Sequence, residues 1–279
     1  MTVHNLLSQA SRCLQQAGIE TPRLDAEVLL ARATDSSRTA LIAHPETVPA
    51  EEQAEQFQRW VELRTERMPL AYIIGSREFY GLEFEVGPAV LVPRPETEIL
   101  VETAIGLLRD RPCTVADLGV GSGAIAVALA VSLPEAHVYG TDCSQEALEI
   151  AARNAEKHGV GPRIHLRHGD LLQPLEGLQF DAVVSNPPYI RSDEIPLLQP
   201  EIALYEPREA LDGGPDGLDY YRRIVPGAGA YLRPGRWLLV ELGIGQSPEV
   251  RRMFRENGYI DVRAVNDYAG IERVVLGHV

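Results

Sequence analysis

The sequence predicts an α/β protein: a mostly parallel sheet covered by helices, with an antiparallel last strand, preceded by a small helical bundle and a β-hairpin. Three observations predict it. Apolar residues recur at three- and four-residue steps through the first 70 positions. From Pro95 onward, helix-period and strand-period runs alternate. A glycine loop joins the first of those strands to the helix behind it.

Val3, Leu6, Leu7, Ala10, Leu14 and Ala17 form one apolar stripe, and Gly18 closes that helix. A second helix is expected over Arg23–Ala33 behind Pro22, and a third over Ala50–Met68, carrying Phe57, Trp60, Val61 and Arg64. Residues 1–70 therefore read as a helical domain. Residues 71–92 read as a hairpin linker, with β-branched and aromatic runs Tyr72–Ile74, Glu78–Tyr80 and Leu82–Val86 set between Gly75, Gly81 and Gly87.

Residues 93–279 read as an α/β domain. A helix to about Leu108 is followed by strand Thr114–Leu118, helix Ala124–Leu133, strand His137–Thr141, helix Gln145–His158, and strands Arg163–Arg167 and Asp181–Ser185. After a proline-rich loop come helix Asp219–Tyr231, strand Trp237–Glu241 and helix Pro248–Asn257. The last strands, Tyr259–Val265 and Arg273–Leu276, are joined by a short loop and are expected to pair antiparallel.

Composition narrows the function classes. The 279 residues carry a formal charge of −14, which opposes nonspecific attraction to a phosphate backbone, so no direct nucleic-acid binding is expected. Apolar stretches such as Ala124–Leu133 fall short of the roughly 20 residues of a membrane span. With no basic and apolar leader at the N-terminus, a cytoplasmic protein is expected, without a membrane partner. Three cysteines without CxxC spacing suggest neither a disulfide framework nor a thiolate metal site. His165 and His168, three apart on an expected strand, point to opposite faces and do not share a metal.

The loop Gly119-Val120-Gly121-Ser122-Gly123 follows Asp117 and opens a helix. A P-loop would place lysine and then serine or threonine after its last glycine, and a dinucleotide fingerprint would run GxGxxG; neither pattern is met. Asp142 closes the next strand, where an acid accepts both hydroxyls of a ribose. Asp117 would repel a pyrophosphate but suits an ammonium group. A nucleoside cofactor follows, with a purely structural glycine turn as the alternative. Asp170 and Leu171 fall where an adenine would lie, although a turn cap and a core leucine would look the same.

Phe180–Ser185 runs directly into Asn186-Pro187-Pro188-Tyr189. Two prolines fix the backbone and remove two donors, so the Asn186 side-chain oxygen and the Pro187 carbonyl can accept both hydrogens of one planar NH2. The Tyr189 ring can lie against such a substrate. A strand-ending proline turn is the bland alternative.

Together with Pro69-Leu70-Ala71-Tyr72-Ile73-Ile74-Gly75, Glu78-Phe79-Tyr80-Gly81-Leu82, Val92-Pro93-Arg94-Pro95-Glu96-Thr97-Glu98 and Glu206-Pro207 through Asp216-Gly217-Leu218, these segments resemble the PrmC/HemK family of protein glutamine methyltransferases. That family modifies the Gly-Gly-Gln glutamine of class 1 peptide-chain release factors. The resemblance implies a Rossmann-like S-adenosylmethionine-dependent methyltransferase fold, S-adenosylhomocysteine as product and a helical substrate-recognition domain, and a monomer is expected. By resemblance, Gly119, Val120, Gly121, Ser122, Gly123, Asp142, Leu171 and Asn186 contact the cofactor, with Asp170 beside them. Asn186, Pro187, Pro188 and Tyr189 hold the glutamine, with Asn186, Pro187 and Tyr189 as the catalytic set. Val120 departs from the threonine usual in the family and loses a hydroxyl. Arg94, Glu96 and Thr97 lie near the active-site mouth in the family, but Pro95 also suits a helix start, so their roles stay open. An adenine amino group in DNA or RNA presents the same planar NH2; the acidic charge argues against it. A module that binds cofactor and release factor without transfer is the non-enzymatic rival.

Overall fold

A computed structural model describes residues 1–109 and 111–279. The chain forms two compact units, Met1–Ser76 with Gln199–Tyr205, and Arg77–Leu198 with Glu206–Val279. The first holds α1 (Val3–Gln16), α2 (Pro22–Ala33), α3 (Arg38–Ala43), α4 (Glu51–Thr65) and α5 (Leu70–Ile74). Val3, Leu6, Leu7, Ala10 and Leu14 of α1 meet Ala26, Leu29 and Leu30 of α2 and Phe57 and Val61 of α4 in one core. Tyr72–Ile74, expected as a strand, is helical. Pro69 starts that turn, Gly75 at φ 74° ends it, and Ile73 is drawn into the bundle core, so packing overrides β-branched propensity.

The remaining elements are β1 (Ser76–Phe79), β2 (Leu82–Glu85), α6 (Glu98–Leu108), β3 (Cys113–Leu118), α7 (Ala124–Ser132), β4 (Ala136–Asp142), α8 (Gln145–Lys157), β5 (Ile164–His168), β6 (Phe180–Ser185), α9 (Pro200–Tyr205), α10 (Asp219–Ala228), β7 (Leu232–Glu241), α11 (Ser247–Glu256), β8 (Ile260–Asn266) and β9 (Glu272–His278). α9 folds with the first unit: Glu201 pairs with Arg64 at 2.8 Å and with Arg67 at 2.6 Å, and the buried Arg64 also meets Asp25 at 2.8 Å.

Tyr80 and Gly81 both take positive φ, a two-residue turn that matches the twist of β1 and β2. The hairpin is part of the second unit's core, where Phe79 and Phe84 meet edge to face at 6.0 Å.

The seven-stranded sheet runs β5-β4-β3-β6-β7-β9-β8. β3 to β7 are mutually parallel, while β9 lies antiparallel to β7 and β8. Alternate strand residues feed two cores. Val115, Ala182, Val184 and Leu239 face α6, α7 and α8; Ala116, Leu118, Val183, Leu238 and Val240 face α10 and α11. The expected helix Asp219–Tyr231 ends at Ala228 and tightens to a 3-10 turn over Gly229–Tyr231. β7 begins five residues earlier than Trp237, through an irregular pairing near Phe180. Strand order reverses at β3, since the chain goes on to β4 and β5 on one side and later adds β6 on the other. Open α/β sheets bind ligands at that point, outside the carboxyl ends of the strands.

Candidate active site

A cavity of about 500 Å³ opens there, at the ends of β3, β4 and β6. Gly119, Val120, Gly121, Ser122, Asp142, Asp170, Leu171, Asn186, Pro187 and Pro188 all line it. Gly123 and Tyr189 lie behind the wall.

The glycine loop is fastened from below. The Gly119 and Val120 amides both donate to the Thr141 carbonyl at 2.9 Å, so these donors hold the loop and are not offered to a ligand. Gly119, Gly121 and Gly123 take φ of 74°, 53° and 82°, where a side chain would strain the backbone. Gly123 starts α7 against Ala151, 3.1 Å from where its Cβ would sit. Val120 packs on Gly140, whose Cβ would come within 2.8 Å of the valine methyl. Its apolar side chain therefore serves packing where a threonine would add a hydroxyl.

Asp142 ties two segments together. Its Oδ2 accepts from the Gly121 amide and its Oδ1 from the Ser144 amide, each at 2.9 Å. Each oxygen keeps a lone pair for a further donor in the cavity. Asp117 is wholly buried under the loop. Neither oxygen has a partner at hydrogen-bonding geometry, and burial pushes its carboxyl up to about 7, against a favourable pull from the nearby Ala126 amide. Asp170 is exposed and ion-paired with Arg223. Leu171 takes φ 48°, a costly backbone for a bulky residue, and its place in the cavity wall is the kind of site where such strain occurs.

β6 is buried along its whole length and delivers Asn186 to the cavity. Asn186 Nδ2 donates to Thr97 Oγ1 at 3.1 Å, which turns Oδ1 away from Thr97 and leaves it without a hydrogen-bond partner among the described residues. Tyr189 is held from several sides. Its carbonyl accepts from Gln246 Nε2 at 2.9 Å, its ring packs where Gly243 leaves room, and its hydroxyl reaches Glu241 Oε1 at 3.5 Å. Burial raises its phenol well above the usual value. Gly213 and Gly217 let the following segment press on the Pro188 and Tyr189 backbone, where a Cβ would collide.

Sequence reasoning left Arg94 and Thr97 without roles. Arg94 Nη2 pairs with Glu206 Oε1 at 2.6 Å at the cavity rim, and burial raises the Glu206 carboxyl against that pull. Thr97 is buried, borders the cavity and holds Asn186. Two further residues went unnoticed. Asn154 bridges the hairpin and the glycine loop: its Oδ1 accepts from Glu85 N at 2.7 Å, while its Nδ2 donates to the Glu85 carbonyl at 3.0 Å and the Ser122 carbonyl at 2.8 Å. Glu241 ends β7 as a buried acid, pushed up to about 7 by burial. Glu241 showed in the sequence only as an acid at the end of an apolar run, and Asn154, between Arg153 and Glu156 on a mixed helix, gave no signal.

The PrmC N-terminal domain family matches residues 5–75, and the methyltransferase small domain family matches residues 95–202. Over its full length the chain is 47% identical to a release factor glutamine methyltransferase of Geobacter sulfurreducens, covering 97% of that protein. A second release factor glutamine methyltransferase, from Moorella thermoacetica, is 46% identical, with 99% of it covered. The chain belongs to the release factor glutamine methyltransferase family. A methyltransferase structure from Pyrococcus furiosus, 18% identical, shares the fold at a TM-score of 0.54, covering 79% of this chain and 96% of that one.

As a member of this family the chain is an S-adenosylmethionine-dependent methyltransferase, and its residues fit that cofactor. Asp142 keeps a lone pair on each carboxylate oxygen that would accept from the two ribose hydroxyls. Asp117 lies buried beneath the glycine loop, outside the cavity wall, with both oxygens unpartnered, and its charge would favour an ammonium bound above the loop; Leu171 would offer an apolar surface to an adenine. The left-handed glycines let a ligand approach the backbone closely. Among the described residues no helix is long and apolar enough to cross a membrane.

Proposed function

We propose that this enzyme methylates the side-chain amide nitrogen of the glutamine in the Gly-Gly-Gln motif of class 1 peptide-chain release factors. The observation that carries this reading is the orientation of Asn186. With one N–H of its NH2 directed to Thr97, its oxygen is turned away from Thr97 and, with the Pro187 carbonyl, offers a pair of acceptors to an incoming NH2. The names borne by the relatives support the same substrate class.

An amide nitrogen is a poor nucleophile because its lone pair is delocalised into the carbonyl. Binding both hydrogens to fixed acceptors orients that nitrogen and favours the geometry in which the lone pair is available. S-adenosylmethionine, when bound, would supply an activated methyl group on a good leaving group, so no strong base is needed before transfer; the methylated nitrogen then sheds one of its two protons to solvent. Pro187 and Pro188 keep the acceptors rigid, and the glycines that admit the neighbouring segment keep Tyr189 in place. Such positioning supplies much of the roughly 7–11 kcal/mol available from proximity.

An adenine amino group would satisfy the same two acceptors, but the charge of −14 disfavours a nucleic-acid substrate. Offering labelled cofactor with either a release factor or an adenine-containing oligonucleotide separates the two. Label transfer to the protein alone supports the proposal, and transfer to the oligonucleotide alone refutes it.

A further inference from the structure

An asparagine amide has two ends of nearly equal shape, and the proposed chemistry works with only one of them facing the substrate. Nothing in Asn186 itself selects that end. The selection comes from what lies behind it. Asn186 Nδ2 donates to Thr97 Oγ1 at 3.1 Å, and a threonine hydroxyl has a single proton to give elsewhere. The acceptor next to buried Thr97 is the Glu241 carboxylate, which the hydroxyl stabilises; its Oε2 is buried and has no partner at hydrogen-bonding geometry, so Thr97 is the donor at hand for it. Glu241 Oε1 receives the Tyr189 hydroxyl, and the Glu241 carbonyl receives the Tyr221 hydroxyl at 2.8 Å.

We infer that Glu241 is a positioning residue that acts through Thr97 to hold the Asn186 oxygen toward the substrate. This rests on the amide-methylation reading above. An ionised carboxylate only accepts hydrogen bonds, so Thr97 must donate to it, and the Thr97 oxygen is then left only to accept. The end of Asn186 facing Thr97 must therefore be its NH2, and Oδ1 is turned into the cavity. A neutral side chain at 241 can donate instead. Thr97 would then be free to give its proton to Asn186 Oδ1, and the amide would turn over and present NH2 to the NH2 of the substrate.

A buried acid is a poor stabilising device, since an apolar residue of similar volume usually serves a core at least as well. Its retention here is explained by the direction it imposes. The groups facing it are Thr97 and Glu96 from the turn before α6, Arg273 from β9, Tyr189 after β6 and Tyr221 from α10. Arg273 favours the charged form and Glu96 opposes it. With burial pushing the Glu241 carboxyl up to about 7, the direction it imposes weakens as pH falls through that value, because a protonated carboxyl can donate as well as accept.

The test compares Thr97→Val, which keeps the shape and removes the hydroxyl, with Thr97→Ser, which keeps the hydroxyl. Methyl transfer to a purified release factor is followed against pH, and cofactor binding is titrated by calorimetry. Thr97→Val is expected to lose about 100-fold in kcat, as for the loss of one preorganised active-site hydrogen bond, with the cofactor Kd changed less than about threefold. Thr97→Ser is expected to recover to within about fivefold of the parent. The rise in kcat through about pH 7 should vanish in both Thr97→Val and Glu241→Gln. Transfer by Thr97→Val within threefold of the parent, or a pH limb that survives in it, overturns the inference. Glu241→Gln gives an independent arm should the valine variant fold poorly, which the calorimetry would reveal. A parent enzyme that methylates no glutamine would sink the underlying reading instead, whatever the variants do.

Discussion

Asn186 and Asp142 make separable demands on binding and chemistry. Asn186→Ala removes the acceptor proposed to meet the reacting amide, so kcat should fall by roughly 100- to 1000-fold while the cofactor Kd stays within a few-fold; steady-state kinetics beside calorimetry checks this. Asp142→Ala removes the acceptor proposed for the two ribose hydroxyls and the anchor of the Gly121 and Ser144 amides. At about 1.5–3 kcal/mol for a hydrogen bond to a charged group, its cofactor Kd should rise at least tenfold. Asp117 and Glu241 carry a pH signature. Both carboxyls sit at about 7 in the folded chain, above ordinary values of 3.8 and 4.5, so the fold binds more protons than the unfolded chain between those limits. Their contribution to stability is complete below pH 4 and is lost as pH rises through about 7. Urea midpoints at pH 5 and pH 8 should therefore lie closer together in Asp117→Asn than in the parent, and an unchanged gap would contradict the assignment. The places of Asn186 and Asp142 in the cavity wall were legible in the sequence because one directly follows a strand and the other ends one, each beside a loop motif. Thr97 and Glu241 were not, because the contacts that define them join positions 89 and 52 residues away from Thr97 and Glu241.

Among the elements, the glycine loop owes its shape to its neighbours as much as to its glycines. Asn154 of α8 satisfies the backbone of β2 and of Ser122 at once. Asn154→Leu leaves one donor and two carbonyls buried without partners and should cost roughly 2–4 kcal/mol, read from the urea midpoint. It should also weaken cofactor binding, because Ser122 is no longer tethered. A loss below about 0.5 kcal/mol would show that water or a shift of the hairpin takes over those bonds. Long elements were readable from their period, and the pairing of the last strands followed from their short connection. The six-residue helices α3 and α9 were missed because so short a run shows no period. The run Tyr72–Ile74 misled because three β-branched or aromatic residues cannot report the helix that Pro69 and Gly75 delimit.

For the whole molecule, the sheet order sets the site where β3 meets β6, and the two cores on either face keep it rigid. The assignment of residues 199–205 to the first unit was hidden in the sequence, since it depends on Glu201 meeting Arg64 and Arg67 more than 130 positions away. Arg64→Met strips Asp25 and Glu201 of a shared, buried cation. It should destabilise the first unit by about 3–5 kcal/mol, the usual cost of leaving a buried charge without its partner, and its thermal midpoint would show it. The central claim concerns the nitrogen that receives the methyl group. The most direct measurement is mass spectrometry of a purified release factor after incubation with the enzyme and S-adenosylmethionine, fragmented to locate the modification and repeated with a Gln→Ala change in its Gly-Gly-Gln motif. The account predicts one added methyl on that glutamine side chain and none on the changed protein. A methyl that persists after the glutamine is gone, or no methyl while the cofactor is bound, would contradict it.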